Sequence, residues 1–170
     1  AELDWGNVCV MASDERWVPE DSDRSNAKLI RSRLLTNRAA EAQFLPFYTD
    51  GLEPDDAIES LSEKVRGQGG LAVALLGMGT DMHTASLFPG VAGLEHALAA
   101  DAPEVAVMRP DSQPEARITL SAHVLDAAMA KHLVIFGAEK REALERAQSL
   151  PPEEAPIQAV LSECQVHWAE

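Results

Sequence analysis

Short apolar runs alternate along this chain with segments in which apolar residues recur every three to four positions. The longest polar-free run, residues 71–76, shows no alternation and predicts a strand covered on both faces. Further strands are predicted over 7–12, 44–48, 105–108, 118–120, 131–136 and 164–168. Helical spacing marks 24–35, through Ala27, Leu29, Ile30, Leu34 and Leu35, with Ser25 or Asp23 placed to cap it. Pro54-Asp55-Asp56 opens a second helix whose inner face carries Ala57, Ile58, Leu61 and Val65, and glycines at 67, 69 and 70 end it. Helices are also predicted over 91–100, 121–129, 138–148 and, briefly, 157–161. Ser13-Asp14-Glu15-Arg16 reads as a polar turn, followed by Pro19.

Strands alternating with helices imply an α/β fold, a mostly parallel sheet with helices on both faces, in one domain over 1–170. The apolar strand at 7–12 belongs inside such a sheet, yet only six residues precede it, so the chain reads as N-terminally truncated. Composition narrows the function. A hydrophobic share of 46% excludes general disorder, and no apolar run approaches bilayer length. Twenty-eight Asp and Glu against 14 Lys and Arg give a net charge of −14, which repels nucleic acid and anionic membranes. The expectation is a soluble, cytoplasmic protein acting on a small molecule, with no nucleic-acid or membrane partner. Cys9 and Cys164 are too few for a zinc ribbon or a disulfide framework, and His96, His123, His132 and His167 lack ligand spacing. No metal and no cofactor are expected, and nothing in the sequence sets an oligomeric state.

Chemistry concentrates after residue 76. Gly77 and Gly79 make a bend that leads into Asp81, His83, Thr84 and Ser86, at the carboxyl end of a strand, where open α/β sheets bind ligands. His83 is a candidate base, and Asp81 two positions earlier can fix its tautomer. Thr84 and Ser86 read as helix caps or ligand donors; no Gly-x-Ser-x-Gly elbow supports a nucleophile. Asp14-Glu15-Arg16 either holds sugar hydroxyls and an oxyanion or forms an internal ion pair. Asn26 is a loop-fixing amide or a cap. Arg117 and Lys140, at element ends, either gather a phosphate or are ordinary surface charge.

Several segments together resemble the 6-phosphogluconolactonase family, whose Rossmann-like fold is similar to that of glucosamine-6-phosphate deaminases. They are Ser13-Asp14-Glu15-Arg16-Trp17-Val18-Pro19, Ser25-Asn26, the run from Gly77 to Pro89, Arg117-Ile118-Thr119-Leu120, and Phe136-Gly137-Ala138-Glu139-Lys140. The resemblance implies hydrolysis of 6-phosphoglucono-δ-lactone to 6-phosphogluconate in the oxidative pentose phosphate pathway, without metal or redox cofactor. By the same resemblance His83 deprotonates water, Asp81 orients the imidazole and Arg16 stabilises the oxyanion. Asp14, Asn26, Gly79 and Thr84 then bind the sugar, and Arg117 and Lys140 meet its phosphate. Two departures stand out: Met82 occupies a position where the family usually has Gly, and no upstream Gly-Gly-Ser/Thr phosphate loop is present, Gly69-Gly70 being followed by Leu71. The alternatives are a glucosamine-6-phosphate deaminase or isomerase, and a truncated homologue that binds sugar phosphates without turnover.

Overall fold

The computed structural model describes residues 3–111 and 113–170. In chain order the strands and helices are β1 (Cys9–Met11), β2 (Asp14–Arg16), α1 (Asn26–Arg33), β3 (Gln43–Leu45), α2 (Ile58–Arg66), β4 (Val73–Leu76) and α3 (Leu94–Leu98). They continue with β5 (Val105–Met108), β6 (Arg117–Leu120), α4 (Ala122–Asp126), β7 (Ala130–Phe136), α5 (Ala138–Ala147) and β8 (Cys164–Ala169). Local chemistry accounts for the ends. Ser25 caps α1 by accepting from the Lys28 N–H, and a 3-10 turn over Asp55–Ala57 carries the chain from Pro54 into α2. The inner face of α2 buries Leu61 and Val65, as its spacing predicts.

Three small sheets result. Strands β4, β7 and β8 run parallel in that order, β1 pairs in parallel with β3, and β6 lies between β2 and β5 in antiparallel register. One cluster of buried side chains joins Leu61, Val105, Met108, Ile118, Leu133 and Ile157. The architecture is α/β, with most strand pairs parallel.

Two expectations are corrected. Residues 14–16, read as a turn, are β2, whose Asp14, Glu15 and Arg16 lie opposite Thr119, Ile118 and Arg117. Its signature is polar because Asp14 and Glu15 point into hydrogen-bonding partners rather than into the apolar core. The run 71–76 is not covered on both faces either: Ala74 and Leu76 are buried, while Val73 is 60% and Leu75 70% exposed. The reason is that nothing among the described residues covers that face. A groove of about 390 Å³ separates β4 from β1, lined by Val10, Met11, Leu29, Leu34, Val73 and Leu75. β1 and β4 both line this groove but do not pair: β1 pairs with β3 and β4 with β7. Cys9 and Cys164 are half-buried free thiols.

This layout assembles the site. β4 ends at the glycine-rich loop, β2 sets Arg16 across from Arg117, and β7, parallel to β4, ends where α5 begins.

Candidate active site

The loop after β4 is closed by its own hydrogen bonds. Thr84 Oγ1 donates to the Gly77 carbonyl at 2.9 Å, the Gly79 N–H donates to the His83 carbonyl, and the Ile157 N–H ties the Met82 carbonyl to the neighbouring 3-10 turn. On this frame His83 Nδ1 stands 2.5 Å from Asp81 Oδ1. A carboxylate there accepts a hydrogen bond from Nδ1–H, which leaves Nε2 with its lone pair free to act as a base. The imidazole rests on the Phe88 ring, centroids 4.6 Å apart, and its side chain keeps 31% of its surface in solvent.

Gly79 makes this pair possible. A β-carbon at that position would fall within van der Waals distance of both Asp81 Oδ1 and the His83 ring. Met82 holds a left-handed backbone at φ 67°. The left-handed region costs an L-residue about 1–2 kcal/mol, and the Met82 side chain offsets part of that by packing on the core. Met82→Gly is therefore expected to be more stable than Met82→Ala, by about 1 kcal/mol, the reverse of the usual order outside turns. Urea titration of the two variants measures this, and a more stable alanine variant would mean the strain is absent.

A second set of groups comes from β2, α1 and β6. Arg117 is 6% exposed, and its guanidinium donates to Asp14 Oδ2 at 3.3 Å and Gln113 Oε1 at 3.2 Å while lying 5.9 Å from the Phe88 ring centre. Ser86 Oγ donates to Asp14 Oδ2 at 2.5 Å, tying the His83 loop to β2. Burial lowers the Arg117 pKa, and the nearby Arg16 and Arg24 add to this while Asp14 opposes it. A guanidinium stays protonated all the same, so the strain falls on the neighbourhood, which favours an anion. Arg16 Nη1 donates to Asn26 Oδ1 at 2.8 Å and to the Arg24 carbonyl at 3.2 Å. The Nε–H groups of Arg16 and Arg117 are both buried and without an acceptor. Such donors are costly to bury idle, and an anionic ligand would satisfy them.

The structure thus brings Asp81, His83 and Gly79 together in one loop, and Asp14, Arg16, Asn26 and Arg117 together beside it, with Phe88 and Ser86 as the links. Asn26 proves to be the loop-fixing amide: Ser25 is the cap, and Asn26 Nδ2 donates to the Asp14 carbonyl at 2.8 Å. Thr84 and Ser86 are not caps, because the next helix after them begins only at Leu94; both are fully buried, and the Thr84 hydroxyl donates inward. Lys140 starts α5 at the same edge of the sheet but makes no hydrogen bond or ion pair with the other site residues. Three contributions were not foreseen from sequence: Glu15 as an acceptor for the start of α1 rather than for a sugar or a cation, Ser86 as a brace for Asp14, and Phe88. Glu15 had a signal, since an acid beside Arg16 and a Ser-Asn pair ten residues on invite a helix-start contact. Among the described residues no three His, Cys, Asp or Glu side chains gather as metal ligands, and no helix is long and apolar enough to cross a membrane.

Residues 1–168 match the sequence profile of the family described as glucosamine-6-phosphate isomerases/6-phosphogluconolactonase. The chain belongs to this family. Its relatives include a 6-phosphogluconolactonase of Rhizobium meliloti, 41% identical over 99% of this chain and 75% of that protein, and one of Pseudomonas aeruginosa, 37% identical over 98% and 71%. The crystal structure of a 6-phosphogluconolactonase from Shewanella baltica superposes with a TM-score of 0.92 at 33% identity, covering 99% of this chain and 74% of the other. This member of the lactonase and isomerase family therefore spans about three quarters of the length of such relatives. A monomeric glucosamine-6-phosphate deaminase shares the fold, with a TM-score of 0.78 at 18% identity.

Proposed function

We infer that this chain hydrolyses 6-phosphoglucono-δ-lactone to 6-phosphogluconate. The observation that carries the reading is the Asp81–His83 pair at 2.5 Å, placed beside two arginines whose Nε–H groups have no protein acceptor. His83 Nε2 takes a proton from water as the water oxygen bonds to the lactone carbonyl carbon, while Asp81 holds the imidazolium in place. Arg16 donates to the carbonyl oxygen as it becomes anionic. Collapse of that intermediate breaks the bond to the ring oxygen, which takes the proton back from His83 and leaves as a hydroxyl. Asp14, fixed by Ser86 and Arg117, accepts from sugar hydroxyls, and Asn26 keeps Arg16 in reach. Arg117, together with Lys140 at the start of α5, receives the phosphate. Gly79 and Thr84 serve the site by shaping its loop.

That these relatives are 6-phosphogluconolactonases supports hydrolysis over amine chemistry. A charged sugar phosphate does not cross a bilayer, so the reading puts the enzyme in the cytoplasm with its substrate. Two incubations of the chain test it: acid release from fresh 6-phosphogluconolactone, and ammonia release from glucosamine 6-phosphate. Acid release above the spontaneous rate, without ammonia, is expected. Ammonia production would replace this reading with the deaminase one, and neither product would leave a binding protein.

A further inference from the structure

We propose that Glu15 is the positioning residue of the site, holding Arg16 at its working angle through the start of α1. The inference rests on the role given to Arg16 above. Glu15 is 2% exposed and makes no ion pair among the described residues, so its carboxylate is compensated by hydrogen bonds. Oε1 accepts from the Arg16 N–H at 2.9 Å and the Asn26 N–H at 2.7 Å; Oε2 accepts from the Ala27 N–H at 2.7 Å and from Ser25 Oγ at 3.1 Å. Asn26 and Ala27 open α1, and the positive end of that eight-residue helix favours the carboxylate.

Capping alone does not explain such a deep charge. Ser25 already caps α1 through the Lys28 N–H, and exposed first-turn N–H groups are satisfied by water elsewhere. What the buried carboxylate adds is a fixed link between β2 and the first residue of α1. Asn26 is that residue, and its side chain holds both ends of the catalytic segment: Oδ1 accepts from Arg16 Nη1, and Nδ2 donates to the Asp14 carbonyl. The contacts form a closed ring running from Glu15 through the Asn26 backbone and amide to the Arg16 guanidinium, and back through the Arg16 N–H. Both oxygens of Glu15 accept from backbone N–H groups, so a neutral amide at position 15 would aim its NH2 either at the Ala27 N–H or at those of Arg16 and Asn26.

The test uses the 170-residue chain and its Glu15→Gln variant, with Arg16→Lys as the reference. The first readout is the solvent exchange of the Arg16 Nε–H by nitrogen-15 NMR, assigned by its loss in Arg16→Lys. Exchange at least about tenfold faster in Glu15→Gln is expected, since an arginine freed from its anchor samples water. Unchanged exchange in folded Glu15→Gln would overturn the inference. The second readout is lactone hydrolysis: kcat is expected to fall about tenfold with KM little changed, the size of effect that a small misplacement produces. That loss should vanish when Glu15→Gln is made in the Arg16→Lys background, because both act through one group. Losses that multiply would assign Glu15 a role unrelated to Arg16. Should Glu15→Gln not fold, Ser25→Ala removes one donor from Oε2 and is expected to speed exchange less; no change there also overturns the inference. An inactive parent chain would refute the lactonase reading, while the Nε–H exchange would still decide the role of Glu15.

Discussion

His83→Ala is expected to lower kcat for lactone hydrolysis by about 10²- to 10⁴-fold, the usual worth of a positioned general base. The loss should be confined to chemistry. The imidazole makes its polar contacts inside its own loop, to Asp81, and its side chain is partly in water. Asp81 is 55% exposed at its side chain, so removing the imidazole orphans no buried charge. Stability should therefore change by no more than about 0.5 kcal/mol, as for a surface substitution. Acid release by the purified variant, with a thermal melt alongside, reads both quantities. Turnover equal to that of the parent would remove His83 from the mechanism.

Gly79→Ala is the second large effect, expected to cost about 10²-fold in kcat through displacement of the imidazole by one methyl group. The argument is steric, for the Gly79 backbone does not lie in the left-handed region and alanine can adopt it. Its β-carbon, however, would occupy the space now filled by Asp81 Oδ1 and the near edge of the His83 ring. Either the Asp81–His83 bond opens or the ring swings away from Phe88. Gly77→Ala is the control, because nothing lies within 4 Å of the added carbon there. Parent-like kinetics for both variants would show that close packing against Gly79 is not what orients the base.

These effects trace to features that the chain displays to different degrees. Periodicity locates β5, β7 and α5 almost to the residue, since β5 is continuous apolar sequence, β7 closes on the apolar run Leu133 to Phe136, and α5 is a repeat whose inner face meets the core. The His83 loop is equally plain, because glycines at a strand end followed by Asp and His have few other uses. β2 is hidden for the opposite reason. Its buried groups are satisfied from α1 and from Ser86, which lies 72 residues from Asp14 in sequence, and no local pattern reports such partners. The helices at 91–100 and 121–129 shrink to Leu94–Leu98 and Ala122–Asp126; Gly93, at φ 93°, delays the first. The overreading of 71–76 has a different source: apolarity records what a strand is suited to touch, and here the face carrying Val73 and Leu75 is bare.

That bare surface governs how the protein behaves in quantity. Among the described residues β1 pairs only with β3, and β4 only with β7, so each keeps an edge of unpaired amides and carbonyls, a template on which a strand from another molecule can add. A net charge of −14 holds molecules apart in dilute buffer. Concentrated salt shortens the reach of that repulsion to about 3 Å at 1 M, so crowding and ionic strength together set the limit of colloidal stability.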